Sequence, residues 1–375
     1  LNPIPDLTQQ VSPDRLRAVV EKLSSYNTRN TLSETLKEAA AWLAGEYRKI
    51  EGVEAELMEY TLPRGRRVPE DRKVLQVVAT TKGTSDRWVG VGGHLDSLNL
   101  SVDAATGFAP GANDDASGVA LALEMARAIA PLKLALNGVY VGFTGEEQGL
   151  HGARALAKRF KAEARALDAF LNNDTVGSSS NKAGQKDDGR VRVFSDESTE
   201  ENLNTGSREL ARFIEWITRD RVERFGIKLV FRKDRFGRGG DHTPFHEEGF
   251  SAVRFIEVHE EYSRQHTPDD LIEHMDFNYL ANVARMNLLA MASLMQAGPA
   301  PTDVRIVRDQ GHDTTVTWKA TPGTCYTVYW RETTSPTWQD CSHVEETDKA
   351  TIKLVNKDDH IFAVGAVGGI PVEAR

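Results

Sequence analysis

The sequence predicts an α/β domain, with a mostly parallel or mixed central sheet flanked by helices, followed by a small β-sandwich. Three observations carry that expectation. Short runs rich in Val, Leu and Tyr alternate with helical patterns as far as Gln296, the rhythm of a buried sheet covered by helices. The segment Ala297-Gly298-Pro299-Ala300-Pro301 then reads as a hinge. Beyond it only short strand candidates separated by turns occur, the texture of a two-sheet module. The expected domains are 1–298 and 299–375.

From 12 to 50 the pattern is helical: Leu16, Val19, Val20 and Leu23 recur at helical spacing, as do Leu36, Ala39, Ala40 and Leu43. Ser12-Pro13 and Thr31-Leu32-Ser33-Glu34 supply start signals. Strands are expected at 55–60, 74–81 and 88–92, then a loop at 97–113 and a helix at 115–130. A buried strand at 136–144, an Ala/Lys-rich helix after Gly145 and a strand at 169–173 continue the alternation. After a polar loop at 178–189 come strands at 191–195, 228–231 and 252–258, and helices at 207–225 and 278–296. The tail offers strands at 303–307, 314–318, 326–331, 350–354 and 361–367.

With 40% hydrophobic and 27% charged residues among 375, the chain has an ordinary globular composition and room for one large and one small domain. Its net charge of -9 and lack of a dense Lys/Arg tract argue against nucleic acid as a partner. No apolar run approaches the roughly 18 residues of a membrane span. The first residue is Leu1 rather than Met, which fits removal of a leader. Cys325 and Cys341, the two cysteines, lie close together in the tail. That spacing suggests a disulfide and a secreted or periplasmic setting; two free thiols are the alternative.

Chemistry concentrates at strand ends. Gly111-Ala112-Asn113-Asp114-Asp115-Ala116-Ser117-Gly118 sets paired carboxylates between glycines, which suits a cation as well as a turn with a helix cap. Gly92-Gly93-His94-Leu95-Asp96-Ser97 closes a strand; residues i and i+2 share a strand face, so Asp96 is expected beside the His94 ring, freeing its other nitrogen for a metal. Thr144-Gly145-Glu146-Glu147-Gln148-Gly149 places two glutamates after an apolar strand, as a metal ligand beside a general base or as an acidic helix start. Asn172-Asn173-Asp174-Thr175 and Gln265-His266-Thr267-Pro268-Asp269-Asp270 repeat the theme. Open α/β sheets place their sites at that edge, and the joint reading is a dinuclear metal site.

Taken in order, Gly93 to Ser97, Gly111 to Gly118, Glu146 to Gly149, Asn173-Asp174 and His266 to Asp269 resemble the five signature blocks of the dizinc exopeptidase family. That family includes secreted bacterial aminopeptidases, glutamate carboxypeptidase and glutaminyl cyclase. The resemblance covers 10–296 and implies a zinc-exopeptidase-like fold. It implies that His94, Asp114 and Asp174 hold one Zn2+ while Asp114, Glu147 and His266 hold the other, with Asp114 bridging. Glu146 would be the general base and Asp96 the partner of His94. Asn113 stands where the family often has a third aspartate, at a position that is not a ligand.

An oxygen and nitrogen ligand set without thiolate suits zinc, with Mn2+ or Co2+ as substitutes. A water between two such metals would lose a proton and become the nucleophile. The expected activity is release of N-terminal residues from peptides. A carboxypeptidase or glutaminyl cyclase on the same fold is the first alternative, kept open by Arg235 and Arg238; a receptor-like ectodomain without activity is the second. His242, Arg238 and Tyr262 are secondary candidates around the pocket, and the acidic loop at 259–262 is expected to be solvated. His151, His246, His259 and His274 read as packing or surface residues. The tail resembles a fibronectin type III module, for which a surface or matrix contact is the expected role.

Overall fold

The computed structural model describes residues 7–65, 67–101, 105–195, 206–235, 237–309, 311–345 and 347–375. The helical pattern at 12–50, with its two start signals, is two helices, α1 (Pro13–Ser24) and α2 (Glu34–Arg48). Each starts where a serine, Ser12 or Ser33, turns its hydroxyl to an amide of the first turn. The turn between them exists because Tyr26 to Thr31 is polar and breaks the apolar stripe. The buried faces are the residues spaced at helical period in the sequence.

Eight strands form one mixed sheet: β1 (Val53–Leu62), β2 (Arg72–Thr81), β3 (Arg87–His94), β4 (Asn137–Phe143), β5 (Ala166–Asn173), β6 (Arg190–Phe194), β7 (Gly226–Val230) and β8 (Ala252–Glu257). Their order is β1-β2-β4-β3-β5-β8-β6-β7. The four central strands β4, β3, β5 and β8 are mutually parallel, while β2 and β6 flank them antiparallel. Four neighbouring strands therefore end on the same edge. Buried on both faces, β4 and β8 read as continuous buried runs, as parallel strands in such sheets do.

Helices cover both faces. On one side α1, α2, α3 (Ser117–Ile129), α5 (Gly206–Thr218) and α7 (Phe277–Leu294) share the main core. On the other, α4 (His151–Ala162) and α6 (Thr243–Glu247) close over Phe143, Phe170 and Phe245, the last two stacked with centroids 4.2 Å apart. Each large side chain buried this way contributes about 1.5–3 kcal/mol, so the sheet is a rigid platform for whatever its edge carries.

Two glycines let that edge close up. A Cβ on Gly93 would come within 2.6 Å of Asp115 Oδ2, and one on Gly118 within 2.2 Å of the Asn173 carbonyl oxygen. The end of β3, the start of α3 and the end of β5 touch backbone to backbone there. The helix expected from Asp115 begins instead at Ser117. Residues Ala112–Ala116 form a wide turn in which Asp114 (φ -112°, ψ 87°) and Asp115 (φ -136°, ψ 47°) are not helical, so the helix-start signal was displaced by two residues.

The tail folds as two antiparallel sheets, β13-β10-β9 and β12-β11-β14-β15, built from β9 (Thr302–Ile306), β10 (Thr314–Lys319), β11 (Tyr326–Glu332), β12 (Asp340–Val344), β13 (Lys349–Ile352), β14 (His360–Ala366) and β15 (Val372–Glu373). Val316 and Trp318 of one sheet pack against Tyr326, Val328, Phe362 and Val364 of the other. β12 is polar and β15 only two residues long, and neither was expected. The module does not hang free. Trp338 is wholly buried beside Tyr329, which meets Trp216 of α5 edge-on at 5.8 Å. Arg212 and Arg219, in and just after α5, donate to the carbonyls of Pro336 and Trp338.

The expected disulfide is absent: Cys325 and Cys341 are free thiols. The register explains it. Tyr326 faces Val344 and Tyr329 faces Cys341, so Cys325 precedes the residue opposite Cys341 by four positions. At about 3.4 Å per residue, that offset exceeds the roughly 7 Å Cα separation a disulfide can span.

Candidate metal centre

The parallel strand ends deliver the residues in turn. His94 is the last residue of β3, Glu146 and Glu147 follow β4, Asp174 follows β5, and His266 lies on the loop after β8. Asp114 comes from the turn before α3. All six line one cleft of about 370 Å³, with Gln148, Gly149, Leu150, Arg238 and Gly239.

The two oxygens of Asp114 face different ways. Oδ1 lies 3.0 Å from His94 Nε2, which is itself 3.8 Å from Asp174 Oδ1. Oδ2 lies 3.2 Å from His266 Nε2, which is 3.1 Å from Glu147 Oε1. One carboxylate thus joins two histidine–carboxylate pairs.

The surroundings fix each group. His94 Nδ1 is 2.9 Å from the Asp96 carbonyl oxygen; a carbonyl only accepts, so Nδ1 carries a proton, and Nε2 is the nitrogen turned to the cleft that a metal would take. The Asp96 carboxylate lies beside the ring as expected but does not take its proton, since its Oδ1 is 3.7 Å from Nδ1. β3 stops at His94, so the strand rule of alternate residues does not reach Asp96. That carboxylate instead accepts from the Thr31 hydroxyl (3.0 Å) and the amides of Glu147 (3.2 Å) and Glu146 (3.4 Å). It positions the glutamate pair.

Asp115 follows Asp114 through a cis peptide bond. It lies within ligand reach of His94 and Asp174, but it accepts from the amides of His94, Gly118 and Thr175 and from the Ser117 hydroxyl, at 2.9–3.2 Å. Those bonds leave it a brace between β3, α3 and β5. The Asp270 carboxylate accepts from the amides of Asn113 (3.0 Å) and Asp114 (2.9 Å). Asn113 donates to Glu257 Oε2 and accepts from the Gly177 amide. An aspartate could not play both parts, and the side chain points away from the cleft centre. Arg254, 1% exposed, pairs with Asp174 Oδ2 at 2.9 Å. Arg29, also buried, donates to the carbonyls of Leu95, Pro110 and Gly111; burial lowers its pKa to about 10 despite the surrounding carboxylates.

The electrostatics follow from crowding. Burial works against the charge on Asp114, and the imidazoles of His266 and His94 overcome it and hold its carboxyl well below the usual range. Burial pushes Glu146 up to about 8, with His94 opposing and Glu147, Asp174 and Asp96 reinforcing. Burial and then Asp114 raise Glu147. Positive charge brought into the cleft would lower both glutamates toward their ionised forms.

Other expectations around the pocket sort themselves. Of Arg238, His242 and Tyr262, only Arg238 lines the cleft; His242 is buried, and Tyr262 donates its hydroxyl to Glu260. The loop expected to be solvated is tied down. Glu260 is 6% exposed and accepts from Arg192, Arg238, Tyr262 and Gln265. Sequence reasoning missed Arg254, Arg29, Thr31 and Asp270 as supports. Arg254 carried a signal, a cation inside the otherwise apolar run Ala252 to Ile256; Arg29 and Thr31, in a polar turn, carried none.

A divalent cation suits this donor set. Among the described residues four carboxylates and one guanidinium line the cleft, a concentration of buried negative charge that needs compensation. Among the described residues none donates a hydrogen bond to the buried Glu147 Oε1, although His266 Nε2 is 3.1 Å away. Nitrogen and oxygen donors without thiolate, held by neighbouring hydrogen bonds, are what zinc takes in hydrolytic sites. Fold and site together define a metallopeptidase of the α/β type.

Known proteins agree. Residues 76–291 match the description "Peptidase family M28", and the chain belongs to that family. A protein of Leptosphaeria maculans named as a probable zinc metalloprotease is 35% identical over 96% of this chain and 93% of its own length. Among solved structures, an aminopeptidase from Aneurinibacillus sp. strain AM-1 superposes with a TM-score of 0.57 at 18% identity, covering 78% of this chain and 96% of that one. A glutaminyl cyclase from Macrostomum lignano superposes with a TM-score of 0.61 at 20% identity, covering 77% and 92%. At those identities the likeness is one of fold. The chain is a zinc metallopeptidase of family M28.

Proposed function

We propose that the protein is an aminopeptidase working with two zinc ions, His94, Asp114 and Asp174 holding one and Asp114, Glu147 and His266 the other. The observation that carries this reading is the division of the two Asp114 oxygens between two histidine–carboxylate pairs. Bound there, the ions would polarise the scissile carbonyl and acidify a water. The chain's own part is proton transfer and positioning. Glu146, in the cleft but outside both pairs, takes the water's proton on a carboxylate oxygen and delivers it to the departing amine nitrogen. Asp96, through the amides of Glu146 and Glu147, fixes where that carboxylate stands.

Aminopeptidases are among the proteins sharing the fold, and that likeness supports the aminopeptidase reading. A secreted or periplasmic setting rests on the family resemblance alone, since the cysteines that suggested an oxidising compartment are unbonded. Rates on aminoacyl anilides, free dipeptides and N-acyl dipeptides test the reading. Turnover is expected of the unblocked substrates, and turnover confined to the N-acylated ones would contradict it.

A further inference from the structure

Three successive amides lead into the glutamate turn, and all three end on one buried pair of side chains, Thr31 and Asp96. Gly145 N donates to Thr31 Oγ1 at 3.1 Å, Glu146 N to Asp96 Oδ1 at 3.4 Å and Glu147 N to Asp96 Oδ2 at 3.2 Å. Thr31 Oγ1 closes the set, 3.0 Å from Asp96 Oδ2. The Gly145 amide can only donate, so the Thr31 oxygen accepts there and sends its own hydrogen to the carboxylate. Asp96 reaches two of the amides. The hydroxyl supplies the third acceptor and orients the carboxylate at the same time.

The peptide before Glu146 is gripped at both ends. Its carbonyl, that of Thr144, accepts from the Tyr60 hydroxyl of β1 at 2.7 Å. Its N–H, that of Gly145, is the one Thr31 accepts. Because a peptide is planar, fixing both groups fixes the direction in which the chain leaves β4 for Glu146. Thr31 is carried on the braced turn between α1 and α2. Arg29 Nε donates to the Leu95 carbonyl at 2.8 Å and the Arg29 amide to the Ser97 hydroxyl at 3.0 Å, one residue to either side of Asp96. Only 5% exposed, Thr31 acts on the glutamates' backbone rather than on substrate.

We infer that Thr31 is a positioning residue for the reaction, its hydroxyl setting, through Asp96 and the Gly145 amide, where the Glu146 carboxylate stands. The inference rests on the reading of Glu146 as general base. A base slightly out of place slows the chemical step more than it weakens substrate binding, so the signature belongs in kcat.

Thr31→Val keeps the side chain's shape but leaves the Gly145 amide without its acceptor and Asp96 one donor short. At saturating zinc, kcat on the wild type's best peptide substrate is expected to fall by about 10–100-fold. KM should stay near the wild-type value, and so should the zinc content. Thr31→Ser, which keeps the hydroxyl, should restore most of kcat. Because Thr31 acts largely through Asp96, the combined loss in Thr31→Val with Asp96→Asn should be smaller than the product of the single losses.

A lowered melting temperature with kcat unchanged would make Thr31 a purely structural residue and overturn the inference. Losses that multiply, or zinc missing from the valine variant at saturation, would overturn it as well. If the valine variant does not fold, Thr31→Ala measured in the same way decides. Glu146→Gln run alongside separates the two readings. Wild-type turnover in that variant would overturn the general-base reading, whereas a slow Glu146→Gln beside a wild-type kcat in Thr31→Val would overturn this inference alone.

Discussion

Glu146→Gln lowers turnover by about 10²–10⁴-fold while the zinc content stays at the wild-type level. The amide is nearly isosteric with the carboxylate but has no basic oxygen for a proton. Glu146 lines the cleft yet belongs to neither histidine–carboxylate pair, so its loss removes proton transfer without removing a proposed ligand. Its backbone amide still meets Asp96 Oδ1 at 3.4 Å, which keeps the neighbouring Glu147 in place. Steady-state rates on an unblocked substrate, taken with elemental analysis of the same preparation, check both halves. Activity like the wild type's, or loss of metal in this variant, would contradict the role.

Asp114→Asn fails in the opposite order, losing metal first and activity as a consequence. Among the described residues Asp114 is the one side chain with an oxygen toward each histidine, so neutralising it weakens both halves of the centre. Supporting residues alone are worth about 10–100-fold in metal affinity, and a bridging ligand should exceed that. Zinc is expected to fall to one ion per chain or less, with turnover down by at least about 100-fold. The backbone is expected to hold, because Asp270 binds the amide of residue 114 rather than its side chain. A circular dichroism spectrum and melting curve near those of the wild type establish that the loss is local. Wild-type zinc content and turnover in this variant would remove Asp114 from the bridging position.

The sheet was legible because its buried strands are unbroken apolar runs, and such runs announce themselves without partners. The central strand ends converge because β4, β3, β5 and β8 are parallel neighbours, which the strand–helix alternation implied. What the sequence hid is set by three-dimensional contact. Asp96 and His94 are two residues apart, yet the end of β3 sends the Asp96 carboxylate to the Glu146 and Glu147 amides. Asp115 looks equal to Asp114 in sequence and differs from it only through what it accepts: three amides and a hydroxyl. Arg29 reaches the loop around Gly111 from a polar turn with no pattern of its own. Cys325 and Cys341 are close in number and apart in register, a distinction only strand pairing makes.

The most direct test of a dinuclear centre is the number of zinc ions in fully loaded wild-type protein, by elemental analysis after removal of free metal. Two ions per chain are expected, with activity lost on chelation and restored as zinc returns. A fully active enzyme holding one ion per chain would contradict the division of Asp114 between two sites.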